Sequence, residues 1–186
     1  PETLAATGYD DDGVTCQQWD IVRDGIFVGY CTNREVAPKI GETRSRGSNR
    51  ADSWGTVPIV RIANIGLEPG SATLDELLAD VTRGIYIEGH GSYSIDQRRY
   101  NFQFGGDAFW LIENGKRTHM VRDVVYHGIT PEFWGSCDGV ADRSHRRRYG
   151  FITCGKGQPA QSGWMTHAAS HARFRKVNVI GGQAGS

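Results

Sequence analysis

Short apolar runs separated by glycine turns are the feature that most constrains this chain. Glycine occurs 25 times in 186 residues, often between runs rich in aromatic and β-branched side chains. Asp24-Gly25 and Asn114-Gly115 each separate two such runs, and these dipeptides favour the tight turn of a β-hairpin. Tyr100–Phe104 alternates apolar and polar residues, as a half-buried strand does. Short connections of this kind predict antiparallel strand pairing.

One segment has the pattern of an amphipathic helix. Leu74, Leu77, Leu78 and Val81 recur at helical spacing, and Thr73 precedes them as an N-cap, with a glutamate three residues later. The pattern predicts a helix over about residues 73–82 that ends before Gly84. The predicted fold class is therefore α+β and mainly β. We expect a single domain over residues 1–186, built as a largely antiparallel sheet or barrel-like domain capped by this helix.

The charge balance argues against two classes of partner. The chain has 21 basic and 21 acidic residues, so its net charge offers no general attraction to nucleic acid or to an anionic membrane. No apolar run approaches the roughly 20 residues of a membrane-spanning helix, and no signal peptide is visible. The four cysteines form no CxxC motif, which favours reduced thiols in a cytoplasmic protein. A Cys16–Cys31 disulfide is the alternative.

Cys154 is the first candidate for chemistry. It ends the short apolar run Phe151–Cys154, which is predicted to be a strand, and glycines follow it closely. Lys156 could help to hold a thiolate there. Taken by its own context alone, a small buried cysteine without a chemical role is the alternative.

The second candidate is the histidine pair His167 and His171. Two histidines four residues apart would share one face of a helix and could then bind Zn²⁺. Position 168 is alanine, so the glutamate that acts as general base in HExxH is absent. The alternative to a metal site is that both are ordinary surface or loop histidines.

Other charged segments are predicted to be solvated, namely the acidic turn at Asp10–Asp12 and the basic loops at residues 44–50 and 143–148.

Six collinear blocks together resemble one family, the TldD/PmbA proteins, also called modulators of DNA gyrase and peptidase U62. In chain order, the blocks are Ile21–Tyr30, Gly47–Trp54 with Pro58–Asn64, Pro69–Leu77 with Arg83–Tyr86, Phe109–Lys116, Cys154–Gln158 and Val177–Gly182. Their order and spacing match over almost the whole chain, which therefore resembles the family's C-terminal domain.

The resemblance implies a zinc-dependent metallopeptidase that acts on peptides or unfolded chains as a dimer of two family protomers. Each active site takes two metal ligands and a general base from an HExxxH helix in a more N-terminal region, and a third ligand from a cysteine of the C-terminal domain. That cysteine corresponds to Cys154. Two imidazoles and one thiolate would leave one tetrahedral position for a water that the metal activates.

The chain departs from this pattern because it contains no HExxxH. We expect either an excised or separately encoded domain, or a relative without peptidase activity. We expect zinc in the complete protein, and neither bound metal nor activity in this chain alone.

The strand Pro58–Asn64 is the predicted wall of the substrate cleft, with Ile59, Arg61 and Asn64 as binding residues. The alternatives are a non-catalytic peptide-binding or scaffold module and a metal protein that uses Cys154, His167 and His171.

Overall fold

The computed structural model describes residues 3–181 and 183–184. Pro1, Glu2, Gly182, Gly185 and Ser186 lie outside the described residues, so the predicted block Val177–Gly182 is described only to Gly181. The helices are α1 (Leu74–Ala79) and α2 (Thr130–Gly135), with 3₁₀ turns at Ala37–Ile40 and Arg143–His145. The strands are β1 (Val22–Arg23), β2 (Ile26–Phe27), β3 (Asn49–Arg50), β4 (Ile59–Val60), β5 (Ile65–Gly66), β6 (Arg83–Glu88), β7 (Tyr93–Ile95), β8 (Asn101–Phe104), β9 (Ala108–Glu113), β10 (Lys116–Arg122), β11 (Val125–Ile129), β12 (Cys137–Val140), β13 (Arg147–Lys156), β14 (Gln161–Ala169), β15 (Ala172–Phe174), β16 (Asn178–Ile180) and β17 (Gln183–Ala184).

The internal contacts divide the chain into two compact units. The sequence predicts a single domain over residues 1–186. Unit 1 comprises Pro1–Leu67 and Arg147–Ala169, and unit 2 comprises Glu68–Arg146 and Ser170–Ser186. Each unit is therefore built from two separate stretches of sequence. The described strands form open sheets of two to four strands that are almost entirely antiparallel, which confirms the predicted mainly β class.

Unit 2 contains two four-stranded antiparallel sheets, in the orders β17-β10-β9-β6 and β16-β11-β8-β7. The predicted Asn114-Gly115 turn joins β9 to β10, and both residues have the positive φ of a tight hairpin turn, 49° and 79°. Phe109, Val121 and Val124 form the buried core, against which β6 packs Ile85 and Ile87. This apolar core packs on the sheet that contains β6, β9 and β10.

Helix α1 confirms the predicted capping box, although it is shorter than predicted. The Thr73 hydroxyl accepts a hydrogen bond from the Glu76 backbone amide, and the Glu76 carboxylate accepts one from the Thr73 amide. The helix ends at Ala79 rather than near Gly84, because the turn between β9 and β10 packs there. The Gly115 amide donates to the Val81 carbonyl. Gly84 instead lies within β6.

Unit 1 contains a short hairpin, β1-β2, a two-stranded pair, β3-β4, and the three-stranded sheet β13-β14-β5. The predicted Asp24-Gly25 turn is confirmed, with φ of 51° and 77°. The prediction of a loop over residues 143–148 is wrong at its C-terminal end, because β13 begins at Arg147 and continues to Lys156. The predicted short strand Phe151–Cys154 is thus the middle of a ten-residue strand.

The interior of unit 1 is largely polar. Besides Met165 and Ala37, its most buried residues are Asp10, Thr32, Ser45, Ser48, Asn49, Arg61 and Thr166. The Asp10 carboxylate accepts hydrogen bonds from the backbone amides of Asp12, Val14 and Asn49. The prediction that Asp10 lies in a solvated turn is therefore wrong, since its side chain organises the surrounding backbone. None of the helices formed by the described residues is long and apolar enough to cross a membrane.

Candidate metal-ligand site at Cys154

Cys154 lies near the end of the long β13-β14 hairpin, directly opposite Gly163. The register shifts just before it, because Phe151 pairs with Met165 and two residues then oppose the single residue Trp164. Such a β-bulge turns the following side chains relative to the strand before it. Cys154 is partly exposed and free, as are the other three cysteines. Its thiol is therefore available as a single soft donor at the edge of unit 1.

The guanidinium of Arg61 binds the backbone of this hairpin from inside the unit. Its Nη2 donates to the Cys154 carbonyl, and its Nη1 donates to the Gln161 carbonyl at 3.3 Å. Arg61 is only 4% exposed. One buried side chain thus joins both strands of the hairpin at the level of Cys154.

Several side-chain hydrogen bonds tie the end of the hairpin to residues 52–60. Asp52 accepts from the Ser162 amide at 3.2 Å, and Gln161 Nε2 donates to the Val57 carbonyl at 2.8 Å. Lys156 Nζ donates to the Val60 carbonyl at 2.5 Å. The ammonium of Lys156 is thus hydrogen-bonded to β4 itself, whereas the sequence suggested that it could help to hold the thiolate.

The residues predicted as the wall of the substrate cleft occupy this same region. Ile59 lies in β4 and pairs with Arg50 of β3. The Asn64 amide oxygen accepts from the backbone amides of Ala5 and Thr166, at 3.2 and 2.9 Å. With Arg61 also engaged, two of the three predicted binding side chains are used within the fold. A substrate role for Ile59, Arg61 and Asn64 stays a prediction. Because the side chains of Arg61 and Asn64 are hydrogen-bonded within the fold, a substrate would contact the backbone at these two positions.

The histidine pair does not lie on a helix. His167 is in β14, where it pairs with Tyr149, and His171 lies beyond the end of that strand, so the condition for a shared helix face is not met. Gly163 is the strand partner of Cys154, and His167 is the fourth residue after Gly163 in β14. His167 therefore lies about 13 Å along the strand from Cys154. The structure therefore does not bring His167 and Cys154 together. Burial lowers the pKa of His167, and among the described residues its Nε2 finds no hydrogen-bond partner.

His171 belongs to unit 2 and has polar neighbours of its own. Its Nδ1 is 3.5 Å from the Tyr86 hydroxyl, which donates to the Glu88 carboxylate at 2.9 Å. Its ring also lies 5.6 Å from the ring of His145.

Within residues 3–181, no group of three or more His, Cys, Asp and Glu side chains is arranged to hold a metal ion. Cys154 fits zinc as one thiolate ligand, the donor type that zinc commonly takes from proteins.

The four thiols differ in their surroundings. Burial raises the pKa of the Cys31 and Cys137 thiols, which disfavours their thiolate forms. Cys16 Sγ accepts a hydrogen bond from Arg50 Nη2 at 3.3 Å and donates one to the Gly47 carbonyl at 3.4 Å.

Sequence reasoning missed the part played by Gly163. A glycine inside a strand often marks a close approach, and this was the available signal.

Comparison with known proteins gives this geometry a family context. A model of the PmbA/TldA metallopeptidase C-terminal domain matches residues 1–181. A metalloprotease of Methanothermobacter thermautotrophicus is 32% identical over 173 residues, which cover 93% of this chain and 37% of the relative. A zinc metalloprotease TldD homolog of Saccharolobus solfataricus is 25% identical over 174 residues, covering 93% and 38%. The chain thus spans little more than a third of the length of these relatives.

The fold also matches a solved structure. TldE from Thermococcus kodakarensis superposes with a TM-score of 0.72 at 20% identity, covering 94% of this chain and 36% of that chain. At this identity, the superposition shows a shared fold alone. The predicted resemblance is confirmed by the family match over residues 1–181 and by the 32% identical relative. The chain belongs to the TldD/PmbA family, and it corresponds to that family's metallopeptidase C-terminal domain.

Proposed function

We propose that this chain is the part of a zinc-dependent peptidase that supplies the Cys154 ligand and one side of the substrate cleft. The substrates proposed are peptides or unfolded chains. The observation that carries the proposal is the placement of Cys154, a partly exposed thiol next to a β-bulge whose backbone is held by a buried arginine. The other three cysteines are either in surroundings that raise the pKa or already hydrogen-bonded to neighbouring groups.

The roles of this chain's residues follow from that placement. Bound zinc would activate a water molecule and polarise the substrate carbonyl. Cys154 would contribute one thiolate ligand, and the family's HExxxH region, which this sequence lacks, would contribute two imidazoles and the general base. Hydrogen bonds made by Arg61, Lys156 and Gln161 would keep the end of the hairpin fixed against residues 57–61.

The test is zinc content and peptide hydrolysis of the full-length protein that contains this chain. We expect Cys154→Ser to lower both the bound zinc and the rate by at least tenfold, because one of three protein ligands is weakened. Cys137→Ser is the matched control and should change neither. Wild-type zinc and activity in Cys154→Ser would contradict the proposal. The 186-residue chain alone should not hydrolyse peptides, and metal-dependent hydrolysis by it would contradict that expectation.

The proposal extends to the setting of the protein. We propose a cytoplasmic protein that pairs with a family protomer as a homodimer or heterodimer, without nucleic-acid or membrane partners. The equal numbers of acidic and basic residues support the exclusion of those two partners. Sedimentation of the full-length protein, alone and with its family partner, tests the dimer. A monomer under both conditions would contradict it.

A second candidate function is a non-catalytic peptide-binding or scaffold module. The observation that favours it is β13, a ten-residue strand at one edge of its three-stranded sheet. An edge strand can pair with an extended peptide through main-chain hydrogen bonds, without any metal. Peptide binding that survives both chelation and Cys154→Ser would favour this function, and binding that needs zinc would favour the peptidase.

A further inference from the structure

The strongest unassigned feature of the chain is the way Arg61 meets the Cys154 hairpin. Its two terminal nitrogens donate to two carbonyls on different strands, those of Cys154 in β13 and Gln161 in β14. Its own backbone amide donates to the Ser48 carbonyl at 2.8 Å, which fixes the base of the side chain. Since Arg61 is 4% exposed, these contacts are made away from solvent. Buried bonds from a charged donor are among the strongest that a side chain can make.

Gly163 shows on which face of the sheet the guanidinium lies. A Cβ atom added at Gly163 would stand 2.6 Å from Arg61 Nη2, 2.9 Å from its Nε and 3.0 Å from its Cζ. Residues that lie directly opposite each other in an antiparallel pair point their side chains to the same face. Gly163 is the partner of Cys154, so the guanidinium and the Cys154 side chain share one face. A side chain at position 163 would push Arg61 away from both carbonyls.

The β-bulge next to Cys154 makes this contact consequential. Ile152 and Thr153 oppose a single residue of β14, so the backbone just before Cys154 lacks the regular ladder that would fix its direction. The Arg61 guanidinium donates to the Cys154 carbonyl, which comes directly after this bulge. A contact on the Cys154 carbonyl can therefore set the direction in which the Cys154 side chain leaves the strand.

We propose that Arg61 is a positioning residue for the Cys154 metal ligand, acting through the Cys154 carbonyl. The inference rests on the proposed function, in which Cys154 binds zinc. Arginine suits the role because its planar fork can reach two carbonyls at once, whereas the lysine ammonium is a compact charge without that fork. Partners that orient a metal ligand typically account for about 10- to 100-fold in metal affinity.

The test compares four variants of the full-length protein. Arg61→Met removes the donors, Arg61→Lys keeps the charge without the fork, and Gly163→Ala displaces the guanidinium. The matched control is Glu42→Ala, which weakens the same unit through the loss of hydrogen bonds from Thr32 and Arg46. The readouts are the zinc dissociation constant, measured with a competing chelator, and the thiolate-to-cobalt charge-transfer absorption of the Co²⁺-loaded protein. A third readout is the alkylation rate of Cys154, resolved by peptide mass spectrometry with Cys137 as internal reference.

We expect Arg61→Met and Gly163→Ala to raise the zinc dissociation constant at least tenfold, to weaken or shift the cobalt band, and to change Cys154 alkylation at least threefold. Arg61→Lys should recover less than half of the loss on a logarithmic scale. Glu42→Ala should stay within twofold of wild type in zinc affinity. If Arg61→Met does not fold, Arg61→Lys and Gly163→Ala carry the test.

Two results would overturn the inference. One is a zinc affinity and a cobalt band that stay within twofold of wild type in the folded Arg61 and Gly163 variants. The other is an equal loss in Glu42→Ala, which would make the effect one of general stability. Cys154→Ser separates these failures from failure of the proposed function. If Cys154→Ser keeps the cobalt band, Cys154 is not a ligand and the proposed function fails, whatever the Arg61 variants do.

Discussion

The buried carboxylate of Asp10 allows the stability of unit 1 to be tested quantitatively. Asp10 is 4% exposed, and it accepts three backbone hydrogen bonds, from Asp12 at 3.0 Å, Val14 at 2.9 Å and Asn49 at 3.1 Å. Asp10→Ala leaves all three donors without this acceptor. A buried donor without a partner costs about 1–3 kcal/mol.

The three donors differ in how easily water can replace Asp10. Asn49 is almost fully buried, so its amide should carry about 2 kcal/mol of the loss. The amides of Asp12 and Val14 lie in a partly exposed turn and should add about 0.5 kcal/mol each. We therefore expect Asp10→Ala to lower the free energy of unfolding of unit 1 by about 3 kcal/mol. With a urea dependence of about 2 kcal/mol per molar, the midpoint should fall by roughly 1.5 M.

The neighbouring aspartate provides the control. The Asp12 carboxylate accepts one long hydrogen bond, from the Arg34 amide at 3.4 Å, so Asp12→Ala should cost about 0.5 kcal/mol. The assay is urea unfolding of the 186-residue chain, followed by tryptophan fluorescence and far-ultraviolet circular dichroism. If Asp10→Ala lowers the midpoint no more than Asp12→Ala does, the buried hydrogen bonds of Asp10 do not hold unit 1 together, and the reasoning is refuted.

Three further predictions concern single side chains. Thr73→Ala breaks the capping box of α1 and should cost about 1 kcal/mol in urea unfolding. Hydrogen bonds from Arg173 and then Arg175 lower the pKa of Asp138 to about 2. Its contribution to stability is therefore complete above the unfolded pKa of about 4 and is lost as the pH falls through 2, so Asp138→Asn should flatten the urea midpoint over that range. Burial lowers the pKa of His167, so the folded state favours its neutral form, and stability should fall as the pH drops below about 6.5. His167→Gln should remove that part of the pH profile.

Each of these predictions has a result that contradicts it. For the helix cap, the contradiction is an unchanged midpoint in Thr73→Ala. For Asp138, it is a slope between pH 4 and 2 that stays the same in Asp138→Asn. For His167, it is a profile between pH 7 and 5 that is identical in wild type and His167→Gln.

Local features of the fold were predictable because short-range chemistry determines them. Asp24-Gly25 and Asn114-Gly115 adopt the positive φ values that these residue types tolerate. The capping box needs only Thr73 and Glu76, which are three residues apart. The strand register was less accessible. The β13-β14 hairpin is longer than its apolar centre suggested, because polar and basic residues of β13, such as Arg147, also pair with β14.

Contacts between distant residues could not be predicted from one sequence. Asp10 looks like part of a solvated acidic turn until Asn49, 39 residues away, places an amide against it. Arg61 looks like a residue on a cleft wall until Cys154 and Gly163 are placed beside it. The identity of Cys154 as the candidate ligand came from resemblance, since nothing local distinguished it from a structural thiol.

The discontinuous make-up of unit 1 has a consequence for the order of events during synthesis. The stretch of unit 1 up to Leu67 leaves the ribosome before the second stretch, whose strands β13 and β14 end only at Ala169. At about 5–20 residues per second, the first stretch waits about 5–20 s for the second. During that interval Arg61 has neither the Cys154 nor the Gln161 carbonyl to bind. We therefore expect nascent chains arrested before Arg147 to remain sensitive to protease within residues 3–67, and to gain protection there only when Ala169 has emerged.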